Sequence, residues 1–156
     1  MGMMANPVPT TVSHFEAQDA DAVRDLIVQG LAERWGGYDP QFNPDLEDFV
    51  GHYGSSVILV AKRGSRIVGV GVLQPEGAGT DRIVRMSVAG DCRRQGVGTQ
   101  LLQGLLQAAR DRGCRRVVLE TTASWESAVK FYGSRGFIPT EVRDGDQHFV
   151  LDGIGA

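Results

Sequence analysis

The chain is short of cysteine, of long apolar runs and of basic charge, and each shortage excludes a class of protein. Cysteine occurs only at Cys92 and Cys114, too few for a disulfide framework and outside the paired spacings of a metal site. No apolar run approaches the ~20 residues that cross a bilayer, so neither a metal nor a membrane partner is expected. Lysine and arginine number 16 against 19 aspartates and glutamates, a formal charge of −3. Domains that coat nucleic acid usually carry a basic excess, so no nucleic-acid partner is expected. A Gly-Lys-Ser/Thr phosphate loop is missing, and the dinucleotide pattern G-x-G-x-x-G fails because Leu101 stands at its third glycine. The opening MGMMANPVPTT has no basic flank and no apolar block, so residues 1–11 are expected to be a disordered tail or cloning remnant rather than a signal peptide. Residues 12–152 are then one domain, and the expected location is cytoplasmic.

What is present fits one folded unit. The 156 residues are 42% hydrophobic, enough for a single core at ~100–200 residues per domain. Glycine supplies 21 positions, nearly double the ordinary ~7%, and most fall between periodic segments, where they stop helices and turn strands. Asp19 is the expected N-cap of a helix over 19–34 with Val23, Leu26, Ile27 and Leu31 on one stripe. A loop follows over 38–44, then a short helix over 45–51. Strands are predicted over 57–60 and 67–73, then a loop over 75–79 and a third strand over 82–88. The strongest helix spans 94–112, with Val97, Leu101, Leu105 and Ala108 in register. A strand at 117–119 leads to a helix capped by Ser124 and stopped by Gly136. Asp144-Gly145 signals a closing hairpin. Helices interleaved with strands of mixed direction make an α/β or α+β sheet protein.

Two segments carry chemistry. Arg93-Arg94-Gln95-Gly96-Val97-Gly98-Thr99 lies between a strand and the long helix. Amides at a helix N-terminus are unpaired and sit at the positive end of the macrodipole. Glycines there let a phosphate approach, and two arginines suit a pyrophosphate. A glycine-bearing helix start with solvated arginines is the alternative. The second segment, Trp125 to Tyr132, puts Trp125, Ala128, Val129 and Tyr132 on one helix face, which by itself also suits a core tyrosine with a bonded hydroxyl.

Together, strand 82–88, the loop R-R-Q-G-V-G with Leu101-Leu102 behind it, and A-V-K-F-Y-x-x-x-G-F follow in fixed order. This resembles the GCN5-related N-acetyltransferase (GNAT) family, whose pattern Gln/Arg-x-x-Gly-x-Gly/Ala is met by Arg93, Gly96 and Gly98. The resemblance implies a mixed, mostly antiparallel sheet of six to seven strands, helices on both faces, and a splay between the fourth and fifth strands. It implies acetyl-CoA as co-substrate, with its pyrophosphate on the main chain of Arg93, Arg94, Gln95, Gly96, Val97, Gly98 and Thr99. The pantetheine arm would pair along Met86, Ser87 and Val88, with Ser127 and Phe131 also at the cofactor. A main-chain N–H near Val88 would face the thioester oxygen, where it would stabilise developing negative charge. Tyr132 matches the tyrosine that gives a proton to the departing thiolate. Two departures stand out. Arg82 occupies a position where a glutamate is common, and Trp125 replaces a frequent asparagine, so an indole packs where an amide would hydrogen-bond. Ser124 or Ser127 would take over that polar role.

The attacking amine, with a pKa near 10.4, must lose a proton before it reacts. Glu120 and Asp81 are the candidate bases, ahead of His52, Tyr53 and His148. Each carboxylate is alternatively a paired structural charge. The resemblance places substrate choice in the first helices and the final hairpin, where Trp35, Tyr38 and Phe42 stand among acidic residues as candidate acceptor contacts. The leading expectation is acetyl transfer to a primary amine of a small molecule. A protein N-terminus or lysine is the nearest rival acceptor, and a non-catalytic acyl-CoA sensor is the rival from another class. Edge strands and the hairpin are compatible with a homodimer.

Overall fold

Leucine spacing and glycine placement decide how the helices settle on the sheet. In the computed structural model, which describes residues 8–155, α1 (Ala20–Trp35) buries Val23, Leu26 and Ile27, and Gly36 ends it in the left-handed region at φ 77°. Asp19 stands at the N-cap position but does not cap this helix with its side chain. Its carboxylate instead accepts the Glu16 N–H at 3.0 Å and meets Lys62 Nζ at 3.2 Å. The short helix expected over 45–51 is two separate turns: a 3-10 turn at Pro44–Leu46, and α2 (Phe49–His52), started by Asp48.

Seven strands form one sheet: β1 (Thr10–His14), β2 (Val57–Arg63), β3 (Arg66–Gly77), β4 (Thr80–Val88), β5 (Arg116–Thr122), β6 (Ile138–Arg143) and β7 (Asp146–Asp152). Their order is β1-β2-β3-β4-β5-β7-β6. All neighbours are antiparallel except β4 and β5, so the mixed, mostly antiparallel α/β sheet expected from the resemblance is present. β1 begins inside the stretch 1–11 expected to be a tail; residues 1–7 of that stretch lie outside the described residues. The loop expected over 75–79 is a tight turn between longer strands. Gly77, Ala78 and Gly79 all adopt positive φ there, which reverses the chain without further residues.

α3 (Val97–Asp111) starts three residues later than the pattern suggests, because Gly96 at φ 84° is its N-cap. Its buried stripe includes Leu101, Leu102, Leu105 and Leu106, each stabilising the fold by about 1.5–3 kcal/mol. The stripe descends onto two strand glycines. A Cβ at Gly69 or Gly71 would stand 2.8 Å from Leu101 Cδ1 or Leu105 Cδ1, so larger residues would lift the helix off the sheet. α1 covers the opposite face, where a Cβ at Gly30 would stand 3.4 Å from Ser87 Oγ. α4 (Glu126–Ser134) has Trp125, not Ser124, at its N-cap. Phe137 tucks back, its N–H donating to Tyr132 O at 3.2 Å. Asp144 and Gly145 both take positive φ, 52° and 83°, the two-residue hairpin expected of that pair.

Candidate active site

The parallel pair β4–β5 is the seam of the sheet. It is in register only from Thr80↔Arg116 to Arg82↔Val118, so beyond Arg82 the two strands part. Ala89 donates its N–H back to Val68 O on β3 at 2.8 Å. By alternation along a strand, the N–H of Val88 then points away from β3, toward the opened side.

Directly after β4 comes the glycine loop. Arg94 and Gly96 both hold positive φ, 63° and 84°, and the chain coils so that successive amides stay free. None of the six main-chain N–H groups from 94 to 99 donates to an acceptor among the described residues; the first helical bond is Gln100 N–H to Gly96 O at 3.0 Å. This is a nest of donors at a helix N-terminus, the geometry that holds phosphate oxygens. Around it, Arg94 makes no ion pair among the described residues, whereas Arg93 is held by Glu33 at 2.7 Å. Arg135 reaches in from the end of α4, donating to Thr99 Oγ1 at 2.8 Å with its guanidinium 5.0 Å over Phe131. Gly98 lies under that ring: a Cβ there would come within 3.4 Å of Phe131 Cζ.

Tyr132 is buried among Phe131, Phe137 and Phe149. Burial raises its pKa above the ordinary phenol value, with the charge of Arg34 pulling the other way, so it stays protonated across the neutral range. Arg34 stacks 4.4 Å over Trp125, which also meets Trp35 at 5.3 Å. The end of α1 is thereby fastened to the start of α4.

On the α1 face, a cleft of about 390 Å³ opens between β4, β5 and the α2 segment, lined by Asp45, His52, Tyr53, Arg85 and Glu120 among others. Arg85 donates from Nε and Nη2 to the two oxygens of Asp45 at 2.8 and 2.6 Å, and from Nη2 to Asn43 at 3.1 Å. The Tyr53 hydroxyl donates to Asp45 at 2.5 Å. Burial works to raise the Asp45 pKa, but the bonds from Arg85 and Tyr53 outweigh it and the net shift is downward. Burial, then the Asp45 carboxylate, push Tyr53 up to about 12. Glu120 forms an ion pair with Arg82, whose Nε also meets Glu76 at 2.7 Å. His148 is the cross-strand partner of Glu120.

The expected site residues separate into three groups. Met86, Ser87 and Val88 lie on β4 beyond Arg82, where β5 has parted from it; the loop 93–99 follows directly with Phe131 beside Gly98, and Tyr132 is buried against Phe149, with Ser127 exposed on α4. Glu120 is in the cleft, but Asp81 is not. Asp81 is buried with Arg112 at 3.6 Å, and its Oδ2 has no hydrogen-bond partner, so it is turned to α3 and away from Glu120. Trp35, Tyr38 and Phe42 do not line the cleft either. Trp35 serves the Trp125 contact, Tyr38 donates to Glu47 at 3.0 Å, and Phe42 is 82% exposed. Arg85 and Arg135 were missed, since an arginine in a strand and a helix-end arginine carry no local signal, whereas Asp45, one of the acidic residues expected around the acceptor, lines the cleft paired to Arg85. Among the described residues no cluster of three His, Cys, Asp or Glu is placed to hold a metal, and no helix is long and apolar enough to cross a membrane.

Comparison with known proteins converges on one family. The model of the acetyltransferase (GNAT) family matches residues 21–137. The Xenopus laevis protein named Probable N-acetyltransferase camello is 34% identical over 124 residues, 71% of this chain and 57% of that protein. N-acetyltransferase 8 of Rattus norvegicus is 36% identical over 115 residues, 68% of this chain and 52% of that protein. The chain spans about half the length of the curated relatives it matches. An acetyltransferase of the GNAT family from Staphylococcus aureus Mu50 superposes with a TM-score of 0.84 at 17% identity, covering 92% of this chain and 99% of that one. PaiA N-acetyltransferase from Thermoplasma acidophilum, solved in complex with coenzyme A, gives 0.78 at 14% identity, covering 92% and 99%.

Proposed function

The chain belongs to the acetyltransferase (GNAT) family, and from that premise we propose that it moves an acetyl group from acetyl-CoA to a primary amine of a small molecule, by direct attack in a ternary complex. The observation that carries this reading is the run of six unengaged amides at 94–99 beside an opened β4–β5 seam. One arm of the site offers donors for a pyrophosphate and the other the opening where β4 and β5 part beyond Arg82, which together suit a phosphopantetheine thioester. Acetyl-CoA supplies an activated acyl group whose thiol leaves readily, at a pKa near 8.5.

The chain's own residues divide the remaining work. The loop 94–99 holds the phosphates through its main chain, with Arg94 and Arg135 adding charge. The Val88 N–H, directed into the seam, offers a donor where negative charge develops on the acyl oxygen. Tyr132, kept protonated by its burial, is the proton donor to the departing sulfur. Glu120, which lines the cleft and pairs with Arg82, takes the proton from the incoming ammonium, directly or through water. Asp81 has no part in this step, since it faces α3.

Calorimetric titration with acetyl-CoA tests the first half, and thiol release against a panel of amines and amino acids tests the second. Binding with release for one class of small amine is the expected result. Binding without release from any small acceptor turns the reading toward a protein acceptor or a sensor. No binding overturns it.

A further inference from the structure

Arg85 has no role in the scheme above, yet it is the most elaborately held side chain in the cleft. It sits at φ 54°, a conformation uncommon for a residue with a Cβ. The cause is a bulge in β4. The register passes from Val72↔Val84 to Val70↔Ser87, so Arg85 and Met86 together oppose Gly71. Met86 turns toward α3, its Sδ 2.9 Å from where a Gly71 Cβ would stand. Arg85 turns the other way, into the cleft. There Asp45 and Asn43 engage Nε and Nη2, so the guanidinium plane is fixed along one edge. Nη1 is different. Neither of its N–H bonds meets an acceptor among the described residues, and it is not a sealed orphan atom.

A guanidinium clamped through Nε and Nη2, with only Nη1 left open, is a preorganised donor for one oxygen of an anion. The charge around it selects which anion. Asp45 already neutralises most of the cation, and Glu120 lines the same cleft. A dianionic phosphate would be repelled there, whereas a single carboxylate needs only the spare donors of Nη1. Glu120 then faces the ammonium end of the same molecule. We propose that Arg85 anchors a carboxylate of the acceptor, so that the acceptors are amino acids or close amino-carboxylates rather than simple amines. This inference rests on the cleft being the acceptor site of an acetyltransferase.

The experiment compares matched acceptors by thiol release: phenylalanine, phenylalanine amide and phenethylamine, then the equivalent sets for leucine and glutamate. In the unaltered protein the free acids are expected to exceed their amides and decarboxylated amines in kcat/KM by about tenfold, the size of one charge-assisted hydrogen bond made where water also reaches the donor. Arg85→Lys keeps a charge but loses the clamped guanidinium that aims Nη1, and should bring the acids down to the level of their analogues, mainly through KM. Acetyl-CoA affinity measured on the same sample confirms that the variant is folded. If Arg85→Lys does not fold, the matched sets on the unaltered protein decide alone. Amides and amines turned over as well as acids would overturn the carboxylate anchor and leave the acetyltransferase reading intact. Acetyl-CoA binding with no release from any small amine would overturn the carboxylate anchor and the small-molecule acceptor together.

Discussion

The glycine loop and the cleft lie on either side of the opened β4–β5 seam, and they are made of different material. The loop works through its main chain: six consecutive amides, two residues at positive φ and a glycine under Phe131. The cleft works through side chains gathered from distant segments, with Asp45 and Arg85 separated by 40 residues and Arg82 and Glu120 by 38. A main-chain site depends on local conformation and tolerates most side chains around it. A side-chain site depends on particular groups and can be rebuilt for a new ligand without altering the fold. The contrast suits an enzyme whose acyl donor is constant within a family while the acceptor varies.

The harshest way to break this contrast is to disable the loop at one atom. Gly98→Asp would press a Cβ against Phe131, at 3.4 Å from Cζ, and point a carboxylate at the amides proposed to hold phosphate. Like charges brought together cost several kcal/mol, so acetyl-CoA affinity should fall by about 10²–10³-fold, read by calorimetry. Unchanged affinity would mean that the phosphate site lies elsewhere.

Tyr132→Phe comes next and separates binding from chemistry. The phenol sits among three aromatic rings, and phenylalanine keeps that packing while removing the proposed proton donor. A thiol is already a fair leaving group, so kcat should fall about 10²-fold rather than vanish, with acetyl-CoA affinity unchanged. Because burial raises the Tyr132 pKa, the group is protonated below that value, and its own titration should impose no loss of rate through pH 9. If the variant matches the parent in kcat, Tyr132 is a core residue only.

These differences in material also explain what could be read from the chain beforehand. Element order, the long helix, the Asp144-Gly145 turn and the glycine loop each depend on residues within about ten positions of one another, and spacing reports such constraints directly. The cleft does not. Arg85 enters it because a bulge re-aims the strand, and a bulge leaves no mark in the alternation of 82–88. Asp45 is held by Tyr53 and Arg85 together, a relation visible only once α2 is folded against β4. The aromatic residues Trp35, Tyr38 and Phe42, read from composition, fall outside the cleft for the converse reason. Their composition suits ligand contact, but Trp35 is taken up by Trp125 and Phe42 projects outward. His52 and Tyr53, passed over as weaker candidates, line the cleft.

A milder test sharpens the cleft itself. Glu120→Gln should lower kcat/KM about tenfold at neutral pH, below the usual contribution of a general base because some amine is already free. The deficit should shrink as pH rises toward the amine's own pKa near 10.4, where no proton needs removing. A pH-independent deficit would make Glu120 a binding group, held for the Arg82 pair, rather than a base.

The smallest expected effect on the glycine loop comes from the far side of the cleft, and that is why it is informative. Asp45→Asn removes the charge that Arg85 and Tyr53 both address, with the Asp45 side chain only 9% exposed. Loss of one partner from a buried pair should reduce stability by about 2 kcal/mol, less than full truncation because the amide keeps part of the bonding. The sign with pH follows from the downward shift. A carboxylate whose folded pKa is depressed contributes fully above its unfolded value of about 3.9, and the contribution is lost as pH falls through the lower folded value. The difference in urea midpoint between parent and variant should therefore be flat from pH 5 to 8 and close only in the acid range. Acetyl-CoA affinity at pH 7 should not change at all. A parallel loss of acetyl-CoA binding would show that the two walls of the seam are coupled through β4, and the division between a main-chain site and a side-chain site would have to be abandoned.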